Sequence, residues 1–161
     1  MRSQISFENL DASQYRFAVV YSRWNEELTT SLRDGALRAL KESGTADDDV
    51  EVFVVPGAFE LPLAAQTAAE SERFDAVIAL GAVIRGDTPH FDFVAGQAAS
   101  GIMQASLTTG VPIAFGVITT DTMEQALERS GPDDGNKGFE AARTAIEMAG
   151  LIDKLAVEEL I

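Results

Sequence analysis

The 161-residue sequence contains a single histidine, His90, and the residues around it are of the types a proton-transfer site needs. It lies in residues 80–94, LGAVIRGDTPHFDFV, where an apolar run breaks at Arg85-Gly86-Asp87-Thr88-Pro89 and aromatic residues flank the imidazole. Histidine is the side chain whose ordinary pKa lies closest to neutrality, so proton shuttling in this chain falls first to His90. Gly86-Asp87-Thr88 ahead of a helix would make an anion cradle of backbone N–H groups plus a hydroxyl. One glycine is neither a Walker A loop nor a dinucleotide fingerprint.

Three other clusters carry usable chemistry. Trp24 and Asn25 come after an apolar run; the indole is either a stacking platform for a planar ring or a core or interface aromatic. Gly57-Ala58-Phe59-Glu60 opens a helix whose free N–H groups could meet a heterocycle's carbonyls, or it is a simple tight turn. Glu60 would accept from ring or sugar hydroxyls, or merely favour the helix dipole. Thr119-Thr120-Asp121 comes after another apolar run, with Arg129 and Lys137 beyond it as ligand cations or solvated surface charges.

The elements that must hold these clusters are legible from hydrophobic spacing. Short β-branched or apolar runs at 16–21 (RFAVVY), 50–55 (VEVFVV), 76–80 (AVIAL) and 112–118 (PIAFGVI) read as buried strands. Each is succeeded by helical spacing. Leu28, Leu32, Ala36 and Leu40 share a face of the first helix, with Asn25 or Ser22 as its cap. A second helix begins near Phe59, with Pro62 tolerated only in its first turn. A third, from about 91 to 107, is rich in Ala, Gly and Ser, which predicts close packing against another element or subunit. A short helix comes after Asp121, with Asp121 and Glu124 as a capping box, and Gly131-Pro132 end it. A last helix starts at Lys137 or Gly138, with Phe139, Ala142, Ile146 and Ala149 on one face. Strands separated by helical crossovers predict a parallel sheet covered on both faces, a three-layer α/β/α sandwich of flavodoxin-like kind with a four-stranded core sheet. In such sheets ligands bind outside the carboxyl ends of the strands, where all four clusters fall.

Composition narrows the classes. Residues 1–161 are expected to form one domain, with residues 1–14 as an arm or a short edge strand. The 46% hydrophobic and 24% charged content is that of an ordinary globular protein. A net charge of −14 opposes nucleic-acid binding, although a local cation or helix N-terminus can still hold a small anion. No run approaches a membrane span, the N-terminus lacks a signal-peptide core, and there is no cysteine for disulfide or thiolate chemistry. Cytoplasmic residence is the default expectation.

Three blocks then make the sequence recognisable: VPGAFELPLAA at 55–65, ALGAVIRGDTPHFDFV at 79–94 and GVITTDTMEQALERSGPDDGNKG at 116–138. In order and spacing the chain resembles the lumazine synthase family from Arg16 to the last helix. The resemblance implies condensation of 5-amino-6-ribitylamino-2,4-pyrimidinedione with 3,4-dihydroxy-2-butanone 4-phosphate in riboflavin biosynthesis, with loss of phosphate and water and without a metal or organic cofactor. It places Trp24 in stacking contact with the pyrimidinedione and Asn25 beside it. It puts Ala58, Phe59 and Glu60 along the ring and ribityl site, and Val83 and Ile84 in backbone contact with the heterocycle. It makes Gly86, Asp87 and Thr88 the phosphate cradle, Arg129 the phosphate cation and His90 the general acid/base. Phe115 and Lys137 match residues supplied by a neighbouring subunit, and Arg85 is expected to anchor its loop. The Asp87 carboxylate must point away from a bound phosphate. The resemblance also implies a homopentamer, with twelve pentamers closing into a sixty-subunit icosahedral shell because the 131–138 turn is short. The first seven residues would then be a strand added to a neighbouring subunit, and riboflavin synthase is an implied partner.

Other readings compete on the same scaffold. A non-catalytic flavin- or lumazine-binding protein would be favoured by loss of His90, Arg129 or Lys137, all of which are present. A flavodoxin would need a Ser/Thr-rich loop after its first strand, where this chain has SRWNEE. A receiver domain would need carboxylates where Ser22 and Pro56 stand. The archaeal type of riboflavin synthase would use no phosphate, against Arg129 and the Gly86-Asp87-Thr88 cradle.

Overall fold

The protein is described by a computed structural model covering residues 10–159. Residues 1–9, which hold most of the expected arm and its intersubunit strand, lie outside the described residues. Four strands, β1 (Phe17–Ser22), β2 (Val50–Val55), β3 (Ala76–Ile84) and β4 (Ile113–Thr120), form one sheet in the order β2-β1-β3-β4. Every pairing is parallel, as the helical crossovers require. The helices are α1 (Glu26–Glu42), α2 (Leu61–Glu70), α3 (His90–Thr109), α4 (Met123–Arg129) and α5 (Lys137–Glu159).

The sheet is covered on both faces by two separate apolar cores. On one face, Phe17, Val19, Ile78 and Leu80 pack with Leu28, Leu32 and Leu40 of α1 and Phe139, Ala142 and Ile146 of α5. On the other, Ala18, Val20, Val77 and Ala79 pack with Leu61, Ala65 and Ala69 of α2 and Ala98 and Ile102 of α3. Successive residues of a strand point to opposite faces, so a strand covered on both reads as continuous apolar sequence. The small residues of α3 permit the predicted close approach: a Cβ added at Gly101 would meet Pro62 of α2 at 2.7 Å. β2, expected to be a buried strand, lies at the sheet edge with Val52, Phe53 and Val54 exposed.

Helices α1 and α5 pack closely at two glycines. A Cβ at Gly138 would lie 1.9 Å from the Leu32 carbonyl oxygen, and one at Gly35 would lie 2.3 Å from Asn136 Oδ1. Asn136 is buried and joins the two helices. Its amide donates to Ser31 O at 3.0 Å and Gly131 O at 2.8 Å, and its Oδ1 accepts from Gly138 N at 2.8 Å and Phe139 N at 3.1 Å. The same side chain thus caps α5 and fixes its entry against α1.

Several local expectations need correction. β3 runs on to Ile84 instead of stopping at Leu80, because β4 keeps pairing with it as far as Ile84–Thr120. The cap of α4 is Thr122, with Gln125 completing the capping box, one residue later than the predicted Asp121 and Glu124. The same helix ends at Arg129 with Ser130 as its C-cap, before Gly131. Neither Ser22 nor the Asn25 side chain caps α1. Asn25 adopts a left-handed conformation, φ 64°, and turns its amide elsewhere.

Candidate functional site

β3 passes its last partner on β1, Leu80, by four residues, Gly81 to Ile84, while β4 still pairs on its other side. The β1-facing edge of this overhang forms a wall of a cleft of about 710 Å³ at the carboxyl ends of the strands. It lies between β1 and β3, where the strand order reverses, the usual ligand position in an open α/β sheet. Trp24, Asn25, Gly57, Ala58, Phe59, Glu60, Val83, Ile84, Gly86, Thr88 and His90 all line it. Three of the four predicted clusters therefore meet in one place.

Backbone ties hold them together. Arg23 N donates to Val55 O at 2.7 Å and Trp24 N to Pro56 O at 3.0 Å, so the loops after β1 and β2 continue their strands' pairing. The Asn25 amide donates to Ala82 O at 3.2 Å, fastening the first loop to the β3 overhang. Its left-handed backbone, tolerated by asparagine, makes the turn into α1 that allows this reach. The Trp24 indole is 74% exposed, which leaves its face available for stacking. Ala58 is buried in the cleft wall, whereas Phe59 and Glu60 are exposed along its lining. Asp87 is exposed and outside the lining, while Gly86 and Thr88 are within it. His90 is exposed as the first residue of α3, where its N–H donates weakly to Thr88 Oγ1 at 3.4 Å.

Phe115, Arg129 and Lys137 are elsewhere. With Thr119 and Glu140 they line a second cavity of about 300 Å³ on the outer flank of β4, which shares no lining residue with the first. Sequence order alone suggests one rim for all four loops. β4 is the sheet's outer strand, however, and Arg129 and Lys137 line its flank while the stretch between them packs on α1 through Asn136. Lys137 Nζ donates to Glu140 Oε2 at 2.9 Å. Arg129 donates to Gln125 O at 2.9 Å and lies 3.8 Å from Glu128. Glu140 was not singled out from sequence, although its place three residues after Lys137 on a helix is the spacing of a facing pair.

Arg85 lines neither cavity, and its Nε donates to Asp121 Oδ1 at 2.8 Å. That bond, with the charges of Asp92 and Asp121, pushes the guanidinium above the ordinary arginine value and keeps it cationic. Among the described residues no cluster of three or more His, Asp or Glu could hold a metal, and no helix is long and apolar enough to cross a membrane.

This architecture defines a three-layer α/β protein with a ring-sized, partly apolar cleft at its switch point and an imidazole on the rim. Comparison with known proteins makes the class specific. The family model for 6,7-dimethyl-8-ribityllumazine synthase matches residues 14–153. The 6,7-dimethyl-8-ribityllumazine synthase of Syntrophus aciditrophicus (strain SB) is 56% identical over 146 residues, 91% of this chain and 95% of that protein. The chain belongs to the lumazine synthase family. Among solved structures, a GDP-L-fucose synthetase of Naegleria fowleri bound to NADP aligns with 98% of this chain and 51% of its own, at TM-score 0.41 and 16% identity. A second structure of a GDP-L-fucose synthetase from that organism aligns at TM-score 0.36 and 16% identity, over 94% of this chain and 47% of its own.

Proposed function

We propose that this protein is a lumazine synthase, joining 5-amino-6-ribitylamino-2,4-pyrimidinedione to 3,4-dihydroxy-2-butanone 4-phosphate to give 6,7-dimethyl-8-ribityllumazine. The observation that carries the reading is the β3 overhang opposite Trp24. The β1 register on β3 ends at Leu80, and Ala82, Val83 and Ile84 beyond it line the cleft, with the Ala82 carbonyl already taken by the Asn25 amide. A pyrimidinedione, planar and rich in amide-like donors and acceptors, matches such an edge as an added strand would, with the indole stacked on its face. Glu60 takes the ribityl hydroxyls. Gly86 and Thr88, at the approach to α3, take the phosphate, where free N–H groups favour an anion.

That arrangement accounts for the chemistry. The ring-bound amine attacks the ketone, water leaves as the imine forms, phosphate is eliminated, and the second amine closes the ring with loss of water. His90, on the same rim as the phosphate cradle, moves the protons of these steps. Holding two substrates in register supplies much of the acceleration, since oriented reactants reach effective molarities of about 10⁵–10⁸ M. Replacing His90 by alanine is accordingly expected to lower kcat only about tenfold, below the roughly 10²–10⁴ that general acid–base catalysis often contributes. A loss beyond about 10⁴ in steady-state turnover would make proton transfer the leading contribution.

The second cavity completes the site of a neighbouring copy. Phe115, Lys137 and Arg129 cluster on the outer flank of β4, apart from the cleft that the cradle and Trp24 define. Exposed Leu63, Phe93, Met103 and Leu107 on α2 and α3 are surfaces a partner would cover. A ring of five copies, with twelve rings closing into a shell, fits the short turn at 131–138. Light scattering of the purified protein is expected to show a particle far larger than a pentamer; a pentamer-sized particle would reject the shell. The decisive assay of function supplies both substrates and monitors the product's absorbance. Tight binding of riboflavin without turnover would instead identify a non-catalytic binder.

A further inference from the structure

Arg85 opens the loop that carries Gly86, Thr88 and His90, and its side chain reaches in two directions. Toward β4, Nε donates to Asp121 Oδ1 at 2.8 Å. Toward α3, Nη1 lies 3.6 Å from Asp92 Oδ1, and Cζ stands 4.5 Å from the centre of the Phe91 ring. Its own amide donates to Thr120 O at 2.8 Å, continuing the β3–β4 ladder. One side chain at position 85 thus grips residues 91 and 92, and the segment 86–90 is tied across its neck. The bonds within the segment are local: His90 N to Thr88 Oγ1 at 3.4 Å and Asp92 N to Pro89 O at 3.0 Å. Asp121 in turn is a fixed post, because its amide donates to Gln125 Oε1 at 2.9 Å and so joins the capping box of α4.

We propose that Arg85 is a positioning residue that sets the spacing between the Gly86–Thr88 cradle and the His90 imidazole by holding Asp121 and the start of α3 at once. The inference rests on the synthase reading for what that spacing serves. The magnitudes separate its role from a structural one. Exposed ion pairs add little to stability, whereas a misplacement of about 1 Å in a reacting group can cost about 10²-fold in rate. Loss of the clamp therefore acts on turnover and phosphate capture and leaves the fold intact. The planar guanidinium meets two carboxylates and an aromatic face together, which the point charge of lysine cannot do.

The test compares wild type, Arg85→Ala, Arg85→Lys, Asp121→Asn and the Arg85→Ala/Asp121→Asn double variant. Arg85→Ala is expected to lower kcat by about 10- to 100-fold and to raise KM for the butanone phosphate several-fold. KM for the pyrimidinedione and the denaturation midpoint should stay near wild type. Lysine is expected not to rescue, and the double variant should be no worse than Arg85→Ala, because both changes remove one shared contact. A second readout is independent of turnover. With one histidine in the chain, 13C-labelled imidazole gives the signal of His90 alone. Inorganic phosphate should shift that signal in wild type, and at least tenfold more phosphate should be needed in Arg85→Ala, Arg85→Lys and Asp121→Asn. Full rescue by lysine, additive losses, or a phosphate response unchanged in Asp121→Asn would overturn the clamp. A wild type that forms no product while its phosphate response still depends on Arg85 would overturn the synthase reading and leave the clamp standing.

Discussion

Replacing Gly138 with alanine is expected to destabilise the protein by about 3 kcal/mol or more, at the upper end of overpacking costs. The added Cβ would lie 1.9 Å from the Leu32 carbonyl oxygen, 2.6 Å from its carbonyl carbon and 2.9 Å from its Cα. All three are backbone atoms inside α1, so no side-chain rotation relieves the overlap. Either α1 or the first turn of α5 must move. Moving α5 breaks the two bonds that Asn136 Oδ1 accepts from Gly138 N and Phe139 N, and a buried acceptor left without partners costs about 1–3 kcal/mol more. It would also shift Lys137, the residue beside it, in the second cavity. The measurement is the denaturant midpoint at fixed protein concentration. A midpoint within error of wild type would mean that the α1–α5 contact is far looser than these distances require.

Arg129→Ala is expected to raise KM for 3,4-dihydroxy-2-butanone 4-phosphate by about 10- to 100-fold, with little change in KM for the pyrimidinedione. A hydrogen bond to a charged group contributes about 1.5–3 kcal/mol, and 1.4 kcal/mol is a factor of ten. Within the chain, Arg129 spends one N–H on Gln125 O and lies at a longer 3.8 Å from Glu128. A guanidinium carries five donors, so this leaves a fork for a phosphate presented from outside. On the proposed assignment, loss of the cation is expected to weaken capture of the phosphorylated substrate alone. Steady-state kinetics with each substrate varied in turn separates the two constants. An unchanged constant for the butanone phosphate would remove Arg129 from the phosphate site.

The order of elements could be read from the sequence because both cores are continuous apolar stripes, such as Val77 to Ala79 in β3 and Phe139, Ala142 and Ile146 in α5. The departures were decided by contacts distant in sequence. β3 extends past Leu80 through its ladder with β4, although Gly81 and Ala82 carry little strand preference of their own. Asp121-x-x-Glu124 and Thr122-x-x-Gln125 are adjacent frames of one capping pattern; the second prevails where Arg85 engages the Asp121 carboxylate. Asn25 has the composition of a cap, yet its amide reaches Ala82 O across the switch point. Residues in and around the loops, from Trp24 to His90, were legible as one cleft because their strands neighbour one another. Phe115, Arg129 and Lys137 were not separable from them without knowing that β4 is outermost. Asn136 was passed over inside a turn motif, although an asparagine directly before a helix is a favoured cap.

The two cavities with no lining residue in common have a hereditary consequence. If each working site takes its cleft from one copy and its flank from the next, damage at Thr88 and damage at Arg129 reside in different halves. Two inactive alleles, one altered in each half, would then complement in trans: mixed rings rebuild some intact sites from the undamaged half of each product. Two alleles altered in the same half would not.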